Sequence, residues 1–463
     1  MAVVTQQVEA KQPSDVIGNW GPYQRTILLL VLLTYSISPF SNLTIPLYAP
    51  KLNFTCHHVD PGSGQVVSLD NTCEFKGADG VMTGCSNFTY DHSFYTRTMI
   101  EQFDLVCGRA WYASFSQSLH QLGYAVSGVA MGYLSDKKGR LIAVRSAILM
   151  EIVSGFGQAL SPTIYLFWIS RFVVGAAAYG RFMSSYVLLT EWIGPKMRGQ
   201  AVIVVELGLH FGTAVLYAFF YYVPDYRVVQ MTANSVEILF FVLFFLLVNE
   251  SPRWLMTNSK YDQVAKLLTK AAKKRGKLDD NEIKRRILSV EQHMKQELNQ
   301  EKDVQKQTVF DVWKEPVLLK LSLILYFTWF AQAFCYYATF FNTENLGGSF
   351  FQTLFIFAAC DFVVYLVILS FFNRIPRKIA LLSGIAVEVV SLFFLLLACM
   401  RGDLVTYRII ASVVFKAAAG LVFQAYYLYT AETFPTVMRQ ASMGMCSIFA
   451  RIGSMLAPFI KVS

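Results

Sequence analysis

The chain has 463 residues, of which 54% are hydrophobic and only 15% are charged, and its mean hydropathy is +0.42. Soluble globular proteins carry about 25% charged residues, so a single water-soluble core, a disordered chain, a coiled coil and a small disulfide scaffold are excluded. The class that fits is an all-α polytopic membrane protein. The formal net charge of +9 needs no nucleic-acid partner, because the basic residues flank apolar runs.

The predicted elements begin with a polar N-terminus, residues 1–24, which lacks the apolar core of a signal peptide. Apolar runs long enough to cross a bilayer as helices then follow in two groups. The first group lies at 25–48, 111–134, 142–160, 162–190, 200–223 and 230–248. The second group lies at 317–341, 350–372, 379–400, 404–430 and 441–463. We therefore predict a six-helix bundle over 25–248, a polar insert over 249–316 and a five-helix bundle over 317–463.

A large polar loop, residues 49–110, separates the first two spans. Two Asn-X-Thr sequons in it, at Asn53 and Asn87, predict N-glycosylation. Four of the eight cysteines also belong to this loop and predict two disulfides, with all three connectivities open. These four are Cys56, Cys73, Cys85 and Cys107.

Lysine and arginine distinguish the two sides of the membrane. Residues 253–315 hold 15 Lys/Arg against 10 Asp/Glu, whereas residues 51–104 hold three basic and seven acidic residues. Because basic loops stay on the cytosolic side, the insert and the N-terminus are predicted to be cytosolic and the 49–110 loop extracellular. We expect a multi-pass plasma-membrane protein.

The insert contains one amphipathic pattern. Val264, Leu267, Leu268 and Ala271 recur at helical spacing on an otherwise basic segment. This pattern favours two interpretations equally: a gating helix packed under the membrane domain, or a solvated linker between the two bundles.

Similar short motifs occur at corresponding positions in the two halves of the chain. The fourth span ends in TEWIGPKMR (190–198) and the tenth in AETFPTVMR (431–439), so that Glu191 precedes Arg198 by seven residues and Glu432 precedes Arg439 by seven. The loop GYLSDKKGR (132–140) similarly corresponds to FFNRIPRK (371–378). A repeated helical unit indicates a transporter whose substrate lies between the repeats.

These motifs also carry a family resemblance. GYLSDKKGR and RFVVG (171–175) resemble signatures of the major facilitator superfamily. GNWGPYQR (18–25), NESPRWL (249–255) and YTAETFPTVMRQ (429–440), with the cysteine-bearing loop, are similar to the organic cation, carnitine and organic anion transporters, the solute carrier 22 family. The resemblance implies the major facilitator fold: two pseudo-symmetric six-helix bundles that work by alternating access.

In that fold the repeated motifs would gate the cytosolic side. Glycines allow helices and a tight turn to approach, and Asp136 can accept from a nearby arginine or a helix N-terminus. The predicted gating residues are Gly132, Asp136, Gly139, Arg140, Glu191, Arg198, Glu432 and Arg439. Asn373 stands where the second half would carry an acid, so we expect the gating contacts of the second half to be weaker than those of the first.

Ionisable residues within spans are costly and indicate function. Arg451 resembles the arginine that the family's anion and carnitine transporters carry in the eleventh helix, which favours an anionic or zwitterionic group. Glu206 instead favours a cation, and Asp361 is a second acid deep in a span that we count with the candidate substrate-binding residues. The alternative is that Glu206 and Arg451 pair with each other or with neighbouring spans as structural residues.

Aromatic side chains complete the predicted substrate site, because their faces attract amines and stack on flat ions. The positions that match the family's cavity are Trp329, Tyr336, Tyr337, Phe423 and Tyr426. Since the chain holds 38 Phe, 24 Tyr and 7 Trp, most aromatics are expected to face lipid or the packed bundle instead.

No Walker loop, HExxH or GxSxG motif occurs. We therefore expect no enzyme activity, no catalytic residues, no metal site and no cofactor. The predicted function is transport of small organic ions, most simply organic cations or carnitine-like zwitterions, with lipid as surroundings and a coupled ion or counter-substrate as a further partner.

Two alternatives stay open. One is an organic-anion exchanger, and the other is a truncated, non-transporting regulator or receptor-like paralogue. The second rests on the count of spans, since eleven are predicted where the repeat leads one to expect twelve.

Overall fold

The computed structural model describes residues 10–59, 66–76, 82–85, 87–276, 279–303, 314–371, 376–401, 404–434 and 439–460. The predicted first span consists of three helical pieces, α2 (Pro22–Tyr35), α3 (Pro39–Asn42) and α4 (Ile45–Tyr48), preceded by the short α1 (Pro13–Ile17). Proline occupies the first turn of each piece, where its missing N–H costs no hydrogen bond. The chain therefore bends between the pieces.

The loop after the first span is folded by strands and two disulfides. The strands are β1 (Phe54–Val59), β2 (Val66–Asp70), β3 (Glu74–Lys76), β4 (Met82–Gly84) and β5 (Asn87–Tyr90), followed by helix α5 (Met99–Phe103). β1 pairs antiparallel with both β2 and β5, and β3 pairs with β4. Of the three open connectivities, the structure has Cys56–Cys85 and Cys73–Cys107.

Five long helices complete the first bundle. They are α6 (Trp111–Lys138), α7 (Arg140–Ala159), α8 (Ile164–Trp192), α9 (Pro195–Tyr222) and α10 (Tyr226–Leu247). Side chains cap two of them: Thr163 accepts from the N–H of Leu166, and Asp225 from the N–H groups of Arg227 and Val228. Glycines let α6 and α8 touch, since a Cβ at Gly175 would lie 2.2 Å from the carbonyl oxygen of His120.

The described part of the insert, residues 249–276, 279–303 and 314–315, contains the helices α11 (Pro252–Thr257), α12 (Tyr261–Arg275) and α13 (Asp280–Asp303). Val264, Leu268 and Ala271 are buried in one core with residues of α1 and α13, so their stripe does not face solvent. The Nε1 of Trp254 donates to the carbonyl oxygen of Asp136 at 2.8 Å. The insert is therefore packed against the end of the first bundle, as the first of the two interpretations requires.

The second group of helices comprises α14 (Pro316–Phe341), α15 (Phe350–Phe371), α16 (Arg377–Met400), α17 (Val405–Thr433) and α18 (Arg439–Leu456). The two halves meet through α6 against α18 and through α9 against α15. These are the second and fifth spans of each half in exchanged order, as a pseudo-two-fold arrangement requires. We call the end with residues 49–110 the loop side and the end with α11–α13 the insert side.

Within the described ranges, eight helices are long and apolar enough to cross a membrane by length and composition: α7 to α10 and α14 to α17. The other three predicted spans are helical but differ in physical character. The first is broken, α6 carries polar residues such as Gln117 and His120 in its interior, and α18 carries Arg439 and Arg451 in 18 residues. The chain is a multi-pass membrane protein.

Candidate functional site

Arg451 lies where the two halves meet, on α18. Its guanidinium carbon is 4.9 Å from the ring centroid of Tyr124 on α6 and 5.1 Å from that of Tyr179 on α8. Its Nε is buried without a hydrogen-bond partner, and no carboxylate of the described residues forms an ion pair with it. A guanidinium held on ring faces keeps its N–H donors available to an anionic group.

Glu206 is the acidic counterpart, on α9 of the first bundle. It interacts electrostatically with the phenol groups of Tyr35, Tyr186, Tyr365 and Tyr427, which come from both halves. In the part of the chain that the structure describes, Glu206 forms no ion pair. The suggested structural pairing of Glu206 with Arg451 is therefore not present.

Tyr427 connects the two charges. Its phenol group interacts electrostatically with both Arg451 and Glu206, and its ring packs edge-on against Trp329 at 4.7 Å between centroids. An acid and a base thus both interact with one tyrosine, between the bundles. This arrangement offers separate contacts to a cationic and an anionic group.

Asp361 has a partner within the protein. Its Oδ2 lies 2.5 Å from Nζ of Lys416, and both side chains are buried. Lys416 also donates to the hydroxyl oxygen of Tyr336 at 3.2 Å, and Nδ1 of His210 lies 3.7 Å from the same Asp361 oxygen. The structure therefore makes Asp361 and Tyr336 part of a charge-compensated cluster between α9, α14, α15 and α17.

The other predicted aromatics form two groups. Trp329 is buried and donates from Nε1 to Thr430 at 3.2 Å, with Phe423 and Tyr426 around its ring at 5.8 and 6.2 Å. This group is the core of the second half rather than an open wall. Tyr337 accepts from Nδ2 of Asn42 at 3.4 Å across the two halves.

The loop side is closed by contacts between the halves. Ser114 donates to the carbonyl oxygen of Pro458 at 2.7 Å, and Ser118 to that of Met455 at 2.6 Å. The ring centroids of Phe94 and Phe351 lie 5.2 Å apart. Any passage from Glu206 and Arg451 to the loop side is therefore obstructed in this conformation.

The predicted gating residues of the first half lie together on the insert side. Arg140 pairs with Asp136 at 2.9 Å and with Glu191 at 3.3 Å, while Nε of Arg198 donates to the carbonyl oxygen of Ile193 at 3.2 Å. A Cβ at Gly132 would meet no atom within 4 Å, so close approach does not explain that glycine in this conformation.

In the second half the motif is only partly described. Glu432 lies near the end of α17 and Arg439 begins α18. Residues 372–375, with Asn373, and residues 435–438 lie outside the described ranges. That the gating contacts of the second half are weaker than those of the first remains a prediction.

Gly139 and Glu250 join the first gate to the insert. Gly139 has φ +115°, a conformation that side chains disfavour, and a Cβ there would lie 2.3 Å from Oε2 of Glu250. Glu250 in turn accepts from the backbone N–H of Leu141 at 3.1 Å. Burial raises the pKa of Glu250, although the N–H groups of Ser251 and Leu141 lower it in part.

Sequence reasoning missed the tyrosines that surround the charges: Tyr35, Tyr124, Tyr179, Tyr186, Tyr365 and Tyr427. Their signal would have been one tyrosine on each of several spans, but 24 tyrosines in the chain hide it. Glu250 was missed because it follows the sixth span as an ordinary loop residue. Asn53 and Asn87 are exposed in the loop, and their glycosylation remains a prediction.

Comparisons with known proteins agree with this architecture. The family described as Major Facilitator Superfamily matches residues 110–458. An organic cation transporter protein of Drosophila melanogaster is 27% identical, covering 96% of this chain and 85% of its own length. Human solute carrier family 22 member 13 is 31% identical over 78% of this chain and 63% of its own, and pig organic anion transporter 3 is 30% identical over 79% and 66%.

Solved structures show the same fold. The proton:xylose symporter XylE bound to a deoxyglucose derivative has a TM-score of 0.67 at 15% identity, covering 94% of this chain and 88% of that one. The inward-open form of the xylose transporter XylE from E. coli has a TM-score of 0.65 at 16% identity, covering 95% and 90%.

Proposed function

The chain belongs to the Major Facilitator Superfamily and, within it, to the solute carrier 22 type of organic ion transporter; on this premise we propose that it carries small organic cations or carnitine-like zwitterions by alternating access. The relatives are named as organic cation and organic anion transporters, so transport of small organic ions is the common function. As in other transporters of this superfamily, no chemical conversion of the substrate is required.

One observation carries the choice of substrate. Glu206 and Arg451 are the two opposite charges between the halves that lack an ion pair among the described residues, whereas Asp361 has Lys416. At about 4 Å and an effective dielectric constant of about 20, one such charge attracts a substrate ion by about 4 kcal/mol before desolvation. A substrate with a quaternary amine and a carboxylate would satisfy both charges at once.

Arg451 favours organic-anion exchange as the second candidate, because its guanidinium is presented on two tyrosine faces. Tyr124 and Tyr179 would then also stack on an aromatic carboxylate. The two candidates differ in which charge is indispensable: Glu206 for cations, Arg451 for anions, and both for zwitterions.

Uptake by the full chain separates them. Cells that express wild type, Glu206→Gln or Arg451→Ala receive labelled tetraethylammonium, carnitine or an aryl carboxylate. We expect Glu206→Gln to reduce tetraethylammonium and carnitine uptake at least tenfold, which corresponds to about 1.4 kcal/mol. Loss of aryl carboxylate uptake in Arg451→Ala, together with unchanged tetraethylammonium and carnitine uptake in Glu206→Gln, would overturn the cation assignment.

A matched control is Arg285→Ala, because Arg285 lies on the insert helix α13 with its side chain 56% exposed. This variant should transport as wild type does. Arg451→Lys keeps the positive charge but lacks the planar guanidinium group with its paired N–H donors. We therefore expect this variant to recognise anions only in part.

We propose that the insert side is cytosolic and the loop side extracellular, in the plasma membrane. In support, the insert is rich in lysine and arginine, and the loop carries two disulfides. Closure on the loop side would then correspond to an inward-facing state. The Asp136–Arg140–Glu191 network, which is already formed within the first half in this state, would supply that half's part of the closure of the insert side after the bundles rock.

A further inference from the structure

A second group of charges lies inside the first bundle. Arg181 on α8 donates to Glu151 on α7, from Nε to Oε2 at 2.7 Å and from Nη2 to Oε1 at 3.2 Å. Glu237 on α10 approaches from the other side, with its Oε1 3.5 Å from the Arg181 Nε. All three side chains are at most 3% exposed. Three spans thus converge on one guanidinium.

The remaining donors of Arg181 are directed at the end of α2 and at the turn between α2 and α3. Nη2 donates to the hydroxyl oxygen of Ser38 at 3.1 Å, and Nη1 donates to the carbonyl oxygen of Thr34. Each of the three guanidinium nitrogens therefore has a partner among Glu151, Thr34 and Ser38. Oε1 of Glu237 is left buried without a hydrogen bond.

The charges of this cluster do not balance. Two carboxylates face one guanidinium, and the other group that interacts with Arg181 is the phenol of Tyr124 on α6. Arg171, also on α8, is directed elsewhere, to the carbonyl oxygen of Ser41 and to Gln117. With both acids ionised the cluster would carry an uncompensated negative charge, which is strongly unfavourable in such buried surroundings. One bound proton removes it.

We propose that the carboxyl group of Glu237 is a proton-binding site and that the ion coupled to transport is a proton. This proposal rests on the proposed function and names its coupling ion. A hydronium ion from one side gives its proton to Oε1 of Glu237, leaving water and a neutral acid. On the other side of the membrane the acid returns that proton to water.

Polar groups connect the cluster to the loop side. The hydroxyl of Tyr48 donates to Oε1 of Gln230 at 3.1 Å, and Nε2 of Gln230 donates to Oδ1 of Asn234, one turn from Glu237, at 3.3 Å. Asn234 Nδ2 and Gln158 Oε1 are buried along this track without a hydrogen bond. Such atoms are normally satisfied by internal water, which can relay a proton.

Arg181 also lines a small cavity of about 10 Å³, which is room for about one water molecule. Ser185, Thr34 and Tyr35 line it, and the hydroxyl group of Ser185 is buried without a hydrogen-bond partner. Tyr35 also interacts electrostatically with Glu206. The cavity therefore lies between the proton site and the substrate site.

This placement provides the coupling. When Glu237 is neutral, Arg181 is held by Glu151 alone; when Glu237 is ionised, both acids compete for the same Nε. Protonation therefore shifts the guanidinium between α7 and α10. Since Arg181 also holds Thr34 and Ser38, α2 moves with it, and Tyr35 with α2. A sodium ion fits less well, because the open oxygen lies 3.5 Å from a guanidinium nitrogen.

The test uses the full chain in proteoliposomes with tetraethylammonium, carnitine and an aryl carboxylate as probes. We expect an imposed pH gradient to change wild-type uptake at least fivefold in sodium-free buffer. Glu237→Gln, which resembles the protonated acid, should lose this response and keep exchange of probe for probe, while Glu237→Asp should retain part of the response. Glu388→Gln is the matched control, because Glu388 is a buried acid of the second half that accepts from Gln332.

An unchanged pH response in Glu237→Gln, an equal loss in Glu388→Gln, or a response that follows sodium instead of protons overturns the proposal. A second measurement does not depend on transport. Wild type purified in detergent should lose thermal stability relative to Glu237→Gln as the pH rises, because removal of the proton leaves a buried charge that the glutamine variant lacks. If no probe is transported but this difference persists, the proposed function fails and the proton site stands; equal profiles overturn the site.

Discussion

At the scale of single residues, the ionisable side chains within the spans are sorted by their partners. Asp361 has Lys416, and Arg181 has Glu151, whereas Glu206 and Arg451 have tyrosine rings and hydroxyls around them. The sequence alone marks all of these residues as unusual, because each is ionisable and lies within an apolar span. The residues that pair with them belong to other helices, so only the packed structure identifies each partner.

The Asp361–Lys416 pair gives a prediction at this scale. Asp361→Asn should lower the free energy of unfolding by about 3–5 kcal/mol, because it leaves Lys416 buried with an uncompensated charge. The double variant Asp361→Asn, Lys416→Met should recover most of that loss, since neither residue is then charged. Thermal unfolding in detergent measures both, and a single variant as stable as wild type contradicts the structural role.

At the scale of elements, short junctions fix how helices meet. The turn between α6 and α7 depends on Gly139 with its positive φ and on Glu250, which accepts from the N–H of Leu141 in the first turn of α7. The loop of strands β1–β5 is held by Cys56–Cys85 and Cys73–Cys107. Both features bind segments that are distant in sequence.

Glu250 predicts a pH effect. Its pKa is raised in the folded protein, so its favourable contribution is present at low pH and is lost as the pH rises through that pKa. The stability of wild type relative to Glu250→Gln should therefore decline from mildly acidic to neutral pH. Thermal unfolding across this range measures it; the exposed Glu297→Gln on α13 should run parallel to wild type, and a parallel Glu250→Gln profile contradicts the prediction.

Gly139 predicts a steric effect. Gly139→Ala should destabilise the turn and reduce transport, because alanine disfavours φ +115° and its Cβ would collide with Glu250. Gly132→Ala is the matched control, since a Cβ there meets open space. Uptake and thermal stability should both separate the two variants; equal effects would contradict the assignment.

The loop disulfides predict a stability change. Each closes a segment of about 30 residues and should stabilise the loop by about 3–4 kcal/mol in the chain-entropy account. Cys73→Ser and Cys107→Ser should reduce surface expression equally, and their double variant no further. Mass spectrometry of unreduced peptides should find Cys56 linked to Cys85; a link from Cys56 to Cys73 contradicts the fold of the loop.

At the scale of the whole molecule, two halves meet through exchanged second and fifth spans and are closed on the loop side. A double variant with cysteines at Ser118 and Met455 should form a cross-link across this closure, because the Ser118 hydroxyl already contacts that backbone. Oxidation should block uptake and reduction should restore it. Each single cysteine variant serves as control, and unimpaired uptake after complete cross-linking contradicts alternating access through this side.

The amino-acid sequence by itself determined the membrane class, the order of spans, the repeat and the family, because these depend on local hydropathy and on short motifs. It also identified Glu206, Asp361 and Arg451 as exceptional. Only the tertiary structure decided which charges are compensated, which cysteines are joined and that Arg181 lies between two acids. Each of these depends on contacts between helices far apart in the chain, and no pattern along one helix encodes which neighbour it meets.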